Sequence, residues 1–312
     1  MTIETLSPEI LQAIWNVYGL GKIKQLIQPS RGMVNRCWII NDTHVIRFDV
    51  LEWGGINRYT GEKWAYDTLY GSTVPVPQAV ALDASKALAP YDYLILTKLP
   101  GKTVIESIAE LTAEAQHKIA YTAGEYLAIL HSHACDSFGL LFEIAAGIHK
   151  PNWAAYVVDF YADYGRQAQD MGVLPDGVLA QIQVLMEKMQ PLFATVQQGY
   201  FVHGDYHFSN LLQQDGQITG VIDFEWALSG DLAWDFRIDD QLEAASLGSK
   251  KAFYDGYTNR RMLPDHHWER VAFYRIGLYL DYLATFSPQD DGEIDRTLPL
   301  LLNELKWLEA HL

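Results

Sequence analysis

The stretch His203-Gly204-Asp205-Tyr206-His207-Phe208-Ser209-Asn210, followed by Val221-Ile222-Asp223-Phe224-Glu225, decides the reading of this chain. It sets an aspartate, an asparagine and a second aspartate at intervals suited to phosphate chemistry. Moving a terminal phosphoryl group requires a carboxylate that orients the attacking hydroxyl and oxygen ligands that hold Mg²⁺ against the phosphates. Asp205 can do the first job, and Asn210 and Asp223 supply hard oxygen donors for the second. Asn210 stands five positions beyond Asp205, so a single loop can present both side chains. Between Asn210 and Asp223 two apolar runs flank Asp215-Gly216, the signal of a tight hairpin that returns Asp223 toward Asn210.

Taken together, His-Gly-Asp, Asn210, Val-Ile-Asp-Phe-Glu, Gly230-Asp231 and Asp235 resemble the aminoglycoside phosphotransferase and choline kinase superfamily of small-molecule kinases. The resemblance implies an α+β, protein-kinase-like fold of two lobes. A small antiparallel-sheet lobe that binds nucleotide would span 1–96, a hinge 97–101, and a larger, mostly helical catalytic and acceptor-binding lobe 102–312. It implies ATP or GTP as co-substrate, Mg²⁺, and Asp205 as the base for an acceptor hydroxyl.

The remaining site residues are carried over on the same resemblance. In Ser30-Arg31-Gly32-Met33-Val34-Asn35, Ser30, Gly32 and Asn35 match the loop that folds over the phosphates, where a glycine admits close approach of backbone N–H groups. Arg47 matches the cation that holds the α- and β-phosphates, and Glu62 its partner on the following helix. Arg in place of Lys offers a planar fork that can hold phosphate and carboxylate together. Thr97 and Leu99 match the hinge positions whose main-chain groups meet the adenine, and Pro100 ends further strand pairing. His203 is expected beneath the loop, with Asp231 and Asp235 bracing it through buried hydrogen bonds. Leu232 stands where the family usually has proline.

Three other readings draw on the same stretches of sequence. His131-Ser132-His133 and His203 with His207 could serve as ligand pairs of a metal-dependent hydrolase. Against this, Ile119, Ala123, Tyr126, Leu127 and Leu130 repeat at helical spacing, which puts His131 at the end of a buried helix. That reading also leaves Asn210 and Asp223 without a role. A non-catalytic pseudokinase is opposed by the intact Asp205, Asn210 and Asp223, and a protein kinase by the lack of an Ala-Pro-Glu segment after Asp223.

At 312 residues and 49% hydrophobic, the chain can bury a substantial core in two lobes. No apolar run approaches the roughly 20 residues that cross a bilayer, and the start Met1-Thr2-Ile3-Glu4-Thr5 lacks the regions of a signal peptide. A cytoplasmic location is therefore expected, without membrane association, and two cysteines agree with it. The net charge of −16 lies wholly beyond residue 98: residues 1–98 hold nine basic and nine acidic side chains, and 99–312 hold 14 and 30. Such a field disfavours nucleic acid as a partner and attracts a cationic acceptor.

Patterning predicts a first helix over Pro8–Tyr18 capped by Ser7, strands at Lys22–Ile27, Cys37–Ile40 and His44–Phe48, and a helix capped by Thr60 that runs to Leu69. Residues 91–96 alternate before the hinge. Helices follow at 112–131, 152–170, 176–197, 249–258, 265–286 and 293–310. Trp153, Tyr156, Val157, Phe160, Tyr161 and Tyr164 share one face, which reads as core or as a wall of the acceptor pocket. The acceptor is a small hydroxyl compound: an aminoglycoside fits the acidity, choline or ethanolamine fits Phe224-Glu225-Trp226, and homoserine, thioribose or another sugar stays open.

Overall fold

In a strand, positions two apart share a face, so Ile46 and Phe48 point one way and Arg47 the other. The structure, a computed structural model, describes residues 6–28, 36–50, 54–290 and 292–312. Contacts divide the chain into two units: Met1–Ile119 with Leu140–Ile148 and Phe208–Ala227, and Ala120–Gly139 with His149–His207 and Leu228–Leu312. The phosphate-loop positions Ser30, Gly32 and Asn35 lie outside the described residues.

The first unit is built on strands β1 (Leu26–Ile27), β2 (Arg36–Ile40), β3 (His44–Asp49), β4 (Ala79–Asp83) and β5 (Asp92–Thr97), antiparallel in the order β1-β2-β3-β5-β4. Ile46 and Phe48 are buried with Trp38, Tyr93 and Ile95, and this core includes Leu11, Ile14 and Trp15 of helix α1 (Pro8–Val17). Ser7 caps α1 as expected, its hydroxyl accepting from Ile10 N–H at 3.4 Å. Helix α2 spans Tyr59–Leu69. Two expectations need correction here. Residues 22–25 are not strand, because the Asn41 side chain takes over the ladder, accepting from Lys24 N–H at 2.7 Å and Gln25 N–H at 3.1 Å and donating to Lys22 O at 2.9 Å. Nor does Thr60 cap α2: the helix begins at Tyr59, whose N–H donates to Asn57 Oδ1, while the Thr60 hydroxyl donates to Asn57 O.

The same unit contains the hairpin read from the sequence. Strands Leu211–Gln214 and Gln217–Val221 pair antiparallel, and strand Lys102–Thr103 pairs beside the first. Asp215 and Gly216 both have positive φ, 53° and 73°, as the tight hairpin turn requires. Ile222 N–H donates to Asn210 O at 3.0 Å, so the hairpin returns Asp223 beside Asn210.

The second unit is mostly helical. Its helices include Trp153–Asp170, Val178–Phe193, Ser249–Thr258, His267–Phe286 and Glu293–His311, and its short strands Ala134–Cys135, Gly199–Val202 and Leu228–Gly230 pair antiparallel. The aromatic face of Trp153–Asp170 is largely core: Trp153, Tyr156, Val157 and Tyr161 are buried, and Trp153 Nε1 donates to the Tyr274 hydroxyl at 2.7 Å. Gly124, on the helix Ala113–Leu130, and Gly256 meet at a helix crossing. A Cβ on Gly124 would overlap the Phe253 carbonyl, and one on Gly256 the Tyr121 carbonyl. Glycine is required there by backbone contact rather than by conformation. The crossing lets the Tyr257 hydroxyl reach His131 Nδ1 at 2.9 Å. Among the described residues no helix is long and apolar enough to cross a membrane.

Candidate active site

Within the first unit, Arg47 projects from β3 and meets three carboxylates. Its Nη1 donates to Glu62 Oε1, and its Nη2 lies 3.0 Å from Asp223 Oδ1 and 3.1 Å from Glu225 Oε2. A fourth carboxylate, Asp49, pairs with Arg58, whose Nη1 also donates to Glu225 Oε1. Arg58 is fully buried, immediately before α2. The Tyr66 hydroxyl donates to Glu62 Oε1 at 2.9 Å and accepts from Asp223 N–H at 3.1 Å. Asp223 therefore sits where three separate elements converge. Its backbone is left-handed at φ 68°, a conformation that costs a non-glycine residue about 1–3 kcal/mol and collects at functional sites.

The set holds two guanidinium groups against Asp49, Glu62, Asp223 and Glu225, leaving a surplus of two negative charges when all four are ionised. Burial, reinforced by Asp223 and Glu225, pushes the Glu62 carboxyl up to about 7 against the pull of Arg47 and the Tyr66 hydrogen bond. Burial also works against the Arg47 cation, but the carboxylates around it, Asp223 and Glu62 foremost, hold its proton well above the ordinary guanidinium range. Glu62 Oε2 is buried with no hydrogen-bond partner among the described residues, and the Asp223 side chain is 41% exposed. Of the four carboxylates only Asp223 is open to a cation, because Asp49, Glu62 and Glu225 are buried on the arginines. Asn210 is buried at the end of the short helix Phe208–Asn210.

The adenine positions are less open than the sequence suggests. Thr97 N–H donates to Gln78 O at 3.0 Å, and its hydroxyl accepts from Gln78 N–H at 2.9 Å, so the N–H is engaged within the sheet. Leu99 lies partly buried just beyond β5.

Within the second unit, Asp205 sits at the end of a loop fixed by Asp235. His203 N–H donates to Asp235 Oδ2 at 2.8 Å and Gly204 N–H to Oδ1 at 2.7 Å. His131 Nε2 lies 3.0 Å from the same Oδ2, and its Nδ1 lies 2.9 Å from the Tyr257 hydroxyl. Both ring nitrogens of His131 thus have protein partners. Burial alone would raise Asp235, but the hydrogen bond and charge of His131 and the N–H of His203 outweigh it, and the carboxyl lies below its ordinary range. Asp231 is likewise enclosed, accepting from Arg270 at 2.6 Å, the Tyr274 hydroxyl at 2.7 Å and Ala233 N–H at 3.1 Å. Asp205 N–H donates to His203 Nδ1 at 3.3 Å, and His207 Nε2 lies 3.2 Å from Asp205 Oδ1.

The structure thus brings Arg47, Glu62 and Asp223 together, and His203, Asp235 and Asp205 together, with Asp231 braced separately by Arg270. Sequence reading missed Arg58, Asp49 and Glu225 as one buried ion-pair set, and Arg270 and Tyr274 as the partners of Asp231. The one signal was an arginine placed just before a predicted helix.

Residues 45–248 match the family model described as "APH: Phosphotransferase enzyme family". Comparison with curated proteins gives no match. Among solved structures, the gentamicin–APH(2")-IIa complex aligns with a TM-score of 0.72 at 19% identity, covering 97% of this chain and 99% of that one. The GDP and kanamycin complex of APH(2")-IIia gives 0.68 at 17% identity, covering 97% and 98%. ADP-bound APH(2'')-Ib gives 0.68 at 18% identity, covering 96% and 97%. The fold is the protein-kinase-like fold of these enzymes.

Proposed function

The chain belongs to the phosphotransferase enzyme family and is a small-molecule kinase, and we propose that it transfers the γ-phosphoryl group of ATP or GTP to a hydroxyl of a cationic acceptor such as an aminoglycoside, in the cytoplasm. The observation that carries this reading is Arg47 shared among Glu62, Asp223 and Glu225. In this reading Arg47 neutralises phosphate charge, Glu62 holds Arg47, and Asp205 accepts a hydrogen bond from the acceptor hydroxyl. Asn210 and Asp223 would hold Mg²⁺, which supplies charge stabilisation across the phosphates. Among the described residues no group of three or more His, Cys, Asp or Glu could hold a metal, so phosphate oxygens would complete the Mg²⁺ shell. Ser30, Gly32 and Asn35 would approach the phosphates, and main-chain groups at Thr97 and Leu99 the base. Positioning and charge stabilisation supply most of the rate in such a reaction.

A cationic acceptor is supported by the acidity beyond residue 98 and by Asp281, a half-buried carboxylate within electrostatic reach of Asp205. Choline or ethanolamine on Glu225 is weakened by the two arginines that already hold that carboxylate. The test is acceptor-dependent ADP or GDP release over a panel of aminoglycosides, amino alcohols and sugars, with Asp205→Asn and Asp205→Ala beside the unaltered protein. Loss of about 10²–10⁴ in kcat with nucleotide affinity kept is expected. Near-full activity in either variant refutes the assignment of the base.

A further inference from the structure

The loop that ends at Asp205 is pinned group by group. Two N–H groups, of His203 and Gly204, go to Asp235, and that of Asp205 goes to His203 Nδ1. Gly204 itself is left-handed, φ 85°, so the chain turns sharply just before the base. The Gly204 carbonyl accepts from Arg237 Nη2 at 2.9 Å. Arg237 and Asp235 lie two residues apart on the short helix Leu232–Ile238, so one element supplies the acceptor for the loop's N–H groups and the donor for its carbonyl.

Arg237 is held in an unusual way for a buried cation. It is 8% exposed, and its guanidinium stands 4.1 Å from the ring centroid of Trp234, which is packed against Trp153, Tyr156, Phe160 and Tyr274. Nε and Nη1 have no hydrogen-bond partner among the described residues. A buried guanidinium with two unmatched donors is a poor stabilising device, and groups kept at such a cost concentrate where geometry matters for function. Its charge reaches Asp281 and Tyr282 on the helix His267–Phe286, and both of these also feel Asp205. His203 and His207 of its own loop contact Asp205, Asp281 and Tyr282 of that helix lie within its electrostatic reach, and Arg237 holds the carbonyl just before it.

We infer that Arg237 is a positioning residue for the base: its guanidinium, stacked on Trp234, fixes the Gly204–Asp205 peptide and thereby the direction in which the Asp205 carboxylate is presented. The inference rests on Asp205 being the base of the proposed reaction. Lysine at this position keeps the charge and a donor for the carbonyl, whereas methionine keeps the apolar stem over Trp234 and loses both.

The experiment compares full-length Arg237→Met, Arg237→Lys and unaltered protein in two ways. The first is hydrogen–deuterium exchange of the amides of residues 200–207, which needs no turnover. The second is the steady-state rate with Mg·ATP and water as the acceptor. In Arg237→Met, exchange at Gly204 and Asp205 should rise at least tenfold, and kcat should fall at least thirtyfold with KM for ATP within twofold. Arg237→Lys should recover at least a third of the lost protection and rate. Arg237→Gln replaces the methionine variant should that one fail to fold. The inference is overturned if exchange in Arg237→Met matches the unaltered protein, or if Arg237→Lys is no better than Arg237→Met. An active Asp205→Asn protein would instead overturn the assignment of the base, which the exchange measurement does not use.

Discussion

Replacing Glu62 by glutamine tests whether its buried carboxyl is raised. Glu62 is fully buried and its carboxyl is raised from 4.5 to about 7, chiefly by burial and then by Asp223 and Glu225. At ~1.4 kcal/mol per pH unit, a rise of that size corresponds to about 3 kcal/mol. Because the folded state binds this proton more tightly than the unfolded chain, the contribution is fully present below pH 4.5 and is lost as pH climbs through 7. Glutamine has nearly the same shape and does not titrate. The stability of Glu62→Gln minus that of the unaltered protein should therefore rise by about 3 kcal/mol between pH 4.5 and 8. Urea unfolding followed by tryptophan fluorescence at half-unit pH steps, without nucleotide, measures it. Taking the difference matters, because His267 gives the opposite slope. Burial and nearby cations push it down to about 3, so it adds stability as pH rises toward its ordinary 6.5, and it does so equally in both proteins. A difference that is flat across this range, or that falls with pH, refutes the raised Glu62 carboxyl.

Three further outcomes concern two bracing residues and the helix crossing. Asp235→Asn leaves one of the two loop N–H groups facing a donor instead of an acceptor; turnover should fall about 10–100-fold, equivalent to ~1–3 kcal/mol, with KM for ATP unchanged in steady-state assays. Arg270→Met strands the buried Asp231 carboxylate, and thermal or urea unfolding should record a loss of about 3–5 kcal/mol; a loss under 1 kcal/mol would contradict the pairing. Gly256→Ala forces a methyl group into the Tyr121 carbonyl and should cost about 1–3 kcal/mol or more; calorimetry showing an unchanged Tm would mean the helices do not touch there.

The sequence was most legible where chemistry and local geometry coincide. Asp215-Gly216 between apolar runs can be little other than a two-residue hairpin, and the turn has both residues at positive φ. The helices of the second unit follow their periodicity closely, as Trp153–Asp170, Ser249–Thr258 and His267–Phe286 show. Strand β4 was missed because Ala79-Val80-Ala81-Leu82-Asp83 is alanine-rich and its pairing with β5 contains an irregularity, so neither composition nor alternation marks it. Residues 22–25 misled in the opposite sense, since a side-chain amide 16 or more positions away replaced the strand partner. In the site, Arg47 and Glu62 were readable by position, but Arg58 was not: its importance comes from Asp49 and Glu225, one nine residues away and the other 167.

The carboxylates show why role escapes a one-dimensional reading. Asp231, Asp235, Glu62 and Asp223 all appear as acidic residues in or near motifs, yet the structure sorts them by donors available. Asp235 meets two backbone N–H groups and a histidine, and Asp231 meets an arginine, a tyrosine and a backbone N–H. Carboxylates so fully matched act as fixed braces, and Asp235 is accordingly held below its ordinary range. Glu62 and Asp223 instead divide one guanidinium with Glu225, and Glu62 is raised to about 7. An under-compensated set of this kind lowers its own free energy by taking up positive charge, whereas a matched one gains nothing from it. The carboxylate charge left without enough donors therefore lies at Asp223 and Glu62, where the proposed cation would be held, and the fully matched carboxylates are Asp231 and Asp235.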